Sequence, residues 1–326
     1  MRPIRRILVA VKDPKAKSLP AVAKAAQLAR ATGAALELFH AISDAVFIDA
    51  LGVANRSLGE VEARSTARYL GQLESVAAPL RRRGIKISTR ANWDYPNYEA
   101  IVRRAATIKA DLIVAERHAS KHVAPWLLRF TDWELLRLSP VPVLLVKSPR
   151  PYRRPVILAA VDPTHAFAKP ARLDDEILRH AGFLKDALQG KLHALHAYVP
   201  VPIGMASAEL ITPNVSLQIE ANIRAKAQLE FDRALKGSKI PRAQRHLVAS
   251  HPTGAIGPVA GKIRSSIVVM GAVSRSGLKG VFIGNTAERV LDDLACDVLV
   301  VKPLRFASQV ARTRRGVRLV ATPLPA

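Results

Sequence analysis

A chain of 326 residues, 49% of them hydrophobic, exceeds what one ordinary core serves, so two domains are expected. Its formal charge of +24 favours anionic partners and says nothing about fold. A single cysteine, Cys296, excludes an internal disulfide and a thiolate metal site, and no apolar run approaches the ~20 residues that span a bilayer.

The first segment, RRILVAVKD (5–13), reads as a buried strand ending in an Asp-Pro turn. Its apolar core, Ile7 to Val11, falls short of the roughly 7–15 residues of a signal peptide, so the chain reads as cytoplasmic. LPAVAKAAQLAR (19–30) has helical spacing, ALELFHAIS is a strand, and 58–83 form a long helix. IKISTRA (strand), NYEAIVRRAATIKA (helix), DLIVAER (strand), DWELLRL (short helix) and VPVLLVK (strand) complete the half. Short apolar strands alternating with helices predict βαβ units on a parallel sheet, with right-handed crossovers covering both faces.

SPRPYRRP (148–155) has nothing to bury and reads as a linker. Beyond it the pattern restarts. VILAAVDP (156–163) matches ILVAVKDP (7–14), aligning Asp162 with Asp13. KLHALHAYV matches the second strand and 215–236 the long helix. SIVVMGAV (266–273) matches LIVAERHA (112–119), and VLVVK (298–302) matches VLLVK (143–147). The chain is a tandem duplication. Its expected divisions are 1–148, a linker at 149–155, 156–303, and a basic tail at 304–326. The tail carries five arginines and no acid, and reads as loosely attached.

The second half holds GAVSRSGLKGVFIGNTAERV (271–290). Asn285-Thr286-Ala287-Glu288 is a capping box, and Thr131-Asp132-Trp133-Glu134 is its counterpart in the first half. At a fixed offset Gly271 aligns with Arg117 and Gly284 with Phe130, so capping does not require these glycines. They predict close backbone approach or positive φ, as an anion on exposed N–H groups demands. A dinucleotide dehydrogenase carries its glycines after the first strand, where this chain has Asp-Pro in both halves, so hydride transfer is excluded. No P-loop pattern occurs.

On these residues the chain resembles the tandem universal stress proteins of the UspE type, in the UspA superfamily, over about residues 4–303. GNTAERVLDDLACDVLVVKP and FTDWELLRLSPVPVLLVK carry the likeness most specifically. The family's ATP loop after strand four runs Gly, two residues, Gly, nine residues, Gly, then Ser or Thr. Here it reads Gly271-Ala-Val-Ser274, nine residues, Gly284-Asn285, so Ser274 and Asn285 depart from the pattern.

The resemblance implies two Rossmann-like open parallel sheets of strand order 3-2-1-4-5, with a ligand between strands one and four. It implies Asp162 beside the ribose or adenine, with Val161 lining that edge and Met270 and Gly271 approaching the nucleotide. Ser274, Gly284, Asn285 and Thr286 would surround the phosphates. The implied protein is a cytoplasmic stress-response binder whose ATPase activity, if present, is incidental. Its implied cofactor is ATP or another phosphorylated ligand in the second half, with magnesium only as the nucleotide's own ion. The first half has lost the glycine loop. In single-domain relatives the last strands pair between subunits, which implies pairing of the two halves here, with a homodimer as a further assembly.

Other chemistry is thinly represented. His193 and His196 point to opposite faces of a strand, and His118 with His122 fall in a loop without an HExxH pattern, so no metal is expected. Trp93, Trp126 and Trp133 surround the loops of the first half. They either pack over a vacated nucleotide site or border a pocket for an amphipathic, lipid-like ligand or a protein partner. Nucleic-acid association through the basic surface and tail is a third reading. It ranks last because the strands are apolar and covered, unlike the exposed aromatic sheets that read RNA.

Overall fold

The computed structural model describes residues 4–48, 58–117, 125–164, 172–200, 213–272, 290–291, 293–304 and 306–321. The chain divides into two compact units, residues 1–151 with 307–326, and residues 152–306.

The first unit contains strands β1 (Arg6–Ala10), β2 (Ala35–Ile42), β3 (Ala45–Ile48), β4 (Ile87–Trp93), β5 (Leu112–Glu116) and β6 (Val143–Val146). Its helices are α1 (Pro20–Thr32), α2 (Leu58–Arg82), α3 (Asn97–Thr107) and α4 (Pro125–Leu138). β4, β2, β1, β5 and β6 lie side by side in that order, all parallel. β1 is an unbroken apolar run because both its faces are covered; Ile7, Leu8 and Val9 have no exposure. Pro20 starts α1, where its missing N–H costs nothing, and Ala21, Val22, Ala25, Leu28 and Ala29 form the buried stripe.

The second unit repeats the order with β7 (Val156–Val161), β8 (Lys191–Tyr198), β9 (Arg245–Ala249), β10 (Ile267–Gly271) and β11 (Asp297–Val301). Helices α5 (Leu173–Ala187), α6 (Pro213–Ala234) and α7 (Pro252–Lys262) link them, and the sheet runs β11, β10, β7, β8, β9. Each unit therefore has the order 3-2-1-4-5 in its parallel sheet. Tyr152 donates to Asp297 Oδ2 at 2.5 Å, tying the chain entering β7 to the start of β11. Burial, then the neighbouring Asp297 carboxylate, pushes the Tyr152 phenol well above its ordinary pKa, so it remains the donor.

Two expectations fail here. α4 starts at Pro125, so Thr131 lies inside the helix and not at its start. The local S/T-x-x-E signature is also compatible with a helix interior, and the longer apolar pattern decides. The tail, in turn, is not loose: residues 307–321 fold onto the first unit. Its strand β12 (Arg318–Ala321) pairs in parallel with β3, and Ser308 donates to the Leu138 carbonyl at 2.9 Å.

The tail's main anchor is ionic. Asp94, Glu99 and Arg103 are buried, at 2%, 7% and 6% exposure. Arg103 grips both oxygens of Asp94 at 2.8 Å and Glu99 at 2.9 Å. The tail supplies the second cation: Arg315 Nη2 donates to Glu99 Oε1 at 2.8 Å and its backbone N–H to Asp94 Oδ1 at 3.0 Å. Arg103 also donates to the Ala311 carbonyl at 3.2 Å. Without Arg315 the cluster carries two carboxylates against one guanidinium. No apolar periodicity announces this docking, because charges and backbone hold it.

Left-handed backbone marks the helix ends. Gly33 and Gly84 adopt it after α1 and α2 at φ 73° and 82°, without strain. Elsewhere a side chain takes the position: Lys109 (φ 52°) after α3, Gln189 (52°) after α5, Lys239 (54°) after α6 and Arg264 (51°) after α7, with Arg154 (45°) before β7 and Arg172 (74°) before α5 also left-handed. The turns close normally, with Ala110 N–H on Ala105 O and Ser265 N–H on Ala260 O, each 2.8 Å. Left-handed geometry costs an L-residue about 1–2 kcal/mol. A cation near a helix C-terminus recovers about 0.3–1 kcal/mol. The dipole alone does not offset the strain.

Removing the cluster's cations separates its parts. Arg103→Ala leaves two buried carboxylates and is expected to destabilise the protein by about 3–5 kcal/mol. Arg315, with a half-exposed side chain, is expected to contribute about 1 kcal/mol or less. Chain termination after Phe306 removes β12 as well and is expected to lower the melting temperature by several degrees in a thermal scan. An unchanged melting temperature would return the tail to the loose state.

Candidate functional site

In both sheets the connections leave the first strand and its neighbour β5 or β10 in opposite directions, which opens a crevice at the C-terminal strand ends. In the first unit this crevice is a cavity of about 240 Å³. Ala10, Val11 and Val22 give it apolar walls, while Lys12, Asp13, Glu116 and Arg117 bring both signs of charge to its lining.

The local structure follows from short contacts. Val11 donates to the Phe39 carbonyl at 2.8 Å, and its own carbonyl lies 2.9 Å from His40 Nδ1. Burial lowers the His40 pKa, so the imidazole is neutral at pH 7 with Nδ1–H as donor. Asp13 Oδ1 accepts the Lys15 N–H at 2.9 Å, and its carbonyl accepts Ala16 N–H at 3.1 Å, a turn made by the side chain.

The second unit has the same grip, with His196 Nδ1 3.4 Å from the Val161 carbonyl. Of the residues that the sequence marks, Val161, Asp162, Met270 and Gly271 come together at the ends of β7 and β10. Met270 pairs in register with Ala160, which places Gly271 beside Val161. Ser274, Gly284, Asn285 and Thr286 lie outside the described residues, as do His118 and His122.

The contacts of Asp162 and Gly271 are structural. Asp162 N–H donates to Asp174 Oδ1 at 3.0 Å in the first turn of α5, and Asp162 Oδ1 accepts the Thr164 hydroxyl at 3.1 Å. A Cβ on Gly271 would stand 2.6 Å from Leu173 Cδ2 and 2.9 Å from its Cγ. Gly271 therefore admits helix α5 to the sheet, a need met within the protein itself. Its partner in the repeat also changes. Register against the first strand pairs Leu112 with Ile7 and Ile267 with Ile157, so Gly271 corresponds to Glu116 rather than Arg117.

The cavity of the first unit is what glycine counting misses. A signal was present: charges follow both neighbouring strands, Lys12-Asp13 after one and Glu116-Arg117 at the end of the other.

His193 and His196 lie on the same strand with different surroundings. His196 is fully buried against Phe231, whereas His193 meets His246 of β9 with ring nitrogens 3.0 Å apart. Their ring planes differ by 8° and the centroids are 5.3 Å apart. That separation matches the nitrogen gap plus two ring radii, so the nitrogens point head-on and share one proton. This geometry leaves no room for an ion between them. Among the described residues no group of three or more His, Cys, Asp or Glu could hold a metal, and no helix is long and apolar enough to cross a membrane.

A parallel α/β sheet of order 3-2-1-4-5, repeated in two units and each with a crevice at its switch point, defines a class of small-molecule binding folds. The comparisons narrow it: the model of the universal stress protein family matches residues 3–147 and 156–302, so the chain belongs to that family as a tandem member. Universal stress protein E of Escherichia coli K12 is 26% identical over 310 residues, spanning 93% of this chain and 96% of its own. Universal stress protein E of Salmonella typhi is 28% identical over 316 residues, 93% and 96% of the two chains. Among solved structures, a functionally unknown protein of Pseudomonas aeruginosa PAO1 superposes with a TM-score of 0.71 at 27% identity, over 92% of this chain and 93% of its own. A universal stress protein of Archaeoglobus fulgidus DSM 4304 shares the fold at TM-score 0.59 and 17% identity, over 92% and 97% of the two chains.

Two outcomes follow. Gly271→Ala is expected to cost about 1–3 kcal/mol in urea unfolding, through Leu173. Unchanged stability with lost ligand binding would assign the glycine to a ligand instead. The histidine pair predicts pH dependence. Burial lowers both pKa values below 6.5, with Lys191 assisting at His193, and His193 and Lys262 assisting at His246. Groups depressed in the fold contribute stability that is present above 6.5 and lost as pH falls through their lowered values. His246→Gln is therefore expected to shrink the loss of stability between pH ~7.5 and ~5.5; an identical loss in both proteins would count against the pair.

Proposed function

We propose that this universal stress protein works by binding rather than by catalysis, and that the first unit takes a small amphipathic ligand at its switch point. The cavity at the ends of β1 and β5 is the observation that carries this reading. Its volume of about 240 Å³ lies below the ~300 Å³ at which pockets for drug-sized ligands begin, so a compact molecule fits better than a long acyl chain. Apolar walls suit the body of such a ligand, and Lys12 and Arg117 suit a phosphate or carboxylate end.

A nucleotide in the second unit is the second reading. The pattern Gly271, Ser274, Gly284, Asn285 and the meeting of Val161, Asp162, Met270 and Gly271 favour it. Leu173 over Gly271, and Asp174 on the Asp162 N–H, weigh against it.

Calorimetry with ATP, ADP and AMP at millimolar concentration separates the two, beside native mass spectrometry of freshly purified protein. Ala16→Phe narrows the cavity of the first unit from its exposed loop, and Gly284→Val blocks the loop of the second. A retained mass lost only in Ala16→Phe is the expected outcome. Nucleotide heat lost only in Gly284→Val would move the site to the second unit, and no ligand in any protein would sink both readings.

A further inference from the structure

We propose that the N-terminal edge of the second unit's sheet holds the phosphodiester backbone of a nucleic-acid duplex along a row of cations. Parallel topology brings the entrances of all its strands to one edge, opposite the switch-point crevice. One exposed cation stands at the entrance of each of four neighbouring strands: Arg264 before β10, Arg154 before β7, Lys191 opening β8 and Lys239 before β9. Lys236 and Lys262, at the ends of α6 and α7, flank the row.

Three of the six sit where the fold itself would prefer glycine. Arg154, Lys239 and Arg264 hold left-handed backbone, and the attraction of helix ends for cations does not offset that strain. Of the four left-handed side-chain residues at this edge, three are basic and the fourth, Gln189 before β8, is neutral; strain held under three cations of the row supports use of the charge. The first unit repeats the device by itself, with Lys109 in the position of Arg264.

The local carboxylates do little to neutralise the row. Asp186 pairs with Lys185 at 2.8 Å, Asp232 with Arg245 at 2.7 Å, and Asp297 is buried against Tyr152; Asp293 is exposed before β11. The choice of partner follows from what is missing. Among the described residues, no exposed large apolar side chain lies in the turns between the preceding helices and these strands; the exposed Leu217, Ile219 and Leu229 sit on α6 itself. The edge therefore offers no wedge for a lipid surface and no aromatic platform for unstacked bases. Strands ~4.8 Å apart make a row of about 14 Å, and a duplex carries a phosphate per ~1.7 Å of its axis, so the row meets several. Contact with phosphates alone carries no sequence information.

The test is fluorescence anisotropy of the full chain with two 20-base-pair DNA duplexes of unrelated sequence, over a salt series. The combined variant Arg154→Gly, Lys239→Gly, Arg264→Gly is expected to bind both at least about tenfold more weakly at low salt, with the slope of log K against log salt reduced by roughly 2–3. Its melting temperature is expected to hold or rise, because glycine accepts the left-handed backbone without strain. A charge-matched variant away from the strand entrances, Arg64→Gln, Arg224→Gln, Arg314→Gln, is expected to stay within about twofold of the wild type. Equal losses in the two variants would reduce the effect to net charge and overturn the proposal. If the glycine variant melts early, Lys191→Gln, Lys236→Gln, Lys262→Gln, which alters no left-handed backbone, decides instead: the same binding loss supports the edge, and unchanged binding overturns the proposal. Tighter binding to phosphatidylserine vesicles than to duplex would assign the edge to lipid and overturn it as well.

Discussion

The two-sided pairing of β1 and of β7 is the constraint from which the rest of the molecule follows. Each is the first strand of its unit, yet it lies in the middle of the sheet, with one neighbour on each side and helices over both faces. Its residues must therefore be apolar without alternation, which is why Ile7, Leu8 and Val9, and Ile157, Leu158 and Ala159, have lost all contact with water. Because both neighbours run parallel to it, the connections diverge at its C-terminal end. A crevice appears there by topology before any side chain is chosen.

Side chains then determine how each unit uses its crevice. In the first unit, Glu116 ends β5 and the crevice remains a cavity. In the second, Gly271 stands at the equivalent position, and Leu173 and Ile177 pack onto it. The histidine grip on the end of the first strand is common to both, through His40 and His196. The duplication thus preserved the scaffold of the switch point while the surface facing a ligand diverged. That is the pattern expected when packing constrains one set of residues and recognition another.

Much of this was legible from the sequence. The strand and helix order, the doubling of the unit and the switch-point architecture follow from apolar periodicity and from the family likeness, and both express the buried sheet. What escaped shares a different character. α4 begins before Thr131 because a capping signature is local and short, whereas a helix is settled by its packed face. The match between Gly271 and Glu116 depends on register against the first strand, which a fixed sequence offset misses by one residue. The docking of the tail rests on Asp94, Glu99 and Arg103 meeting Arg315, a contact between residues 221 apart that no periodicity encodes. At the candidate site, charge at two strand ends was visible in the sequence but the space between them was not.

The chain's two ends close on the same unit, and this gives the molecule a history during synthesis. When Asp94, Glu99 and Arg103 emerge from the ribosome, the cation that completes them has not been made. At roughly 5–20 residues per second the 221 residues that separate Asp94 from Arg315 take on the order of 10–45 s. The first unit to be translated is thus the last to be finished, and throughout that interval its buried cluster has an unmatched carboxylate. The second unit has no such debt to the chain's end and can complete its sheet as soon as β11 is released. Order of synthesis and order of completion run in opposite directions in this protein.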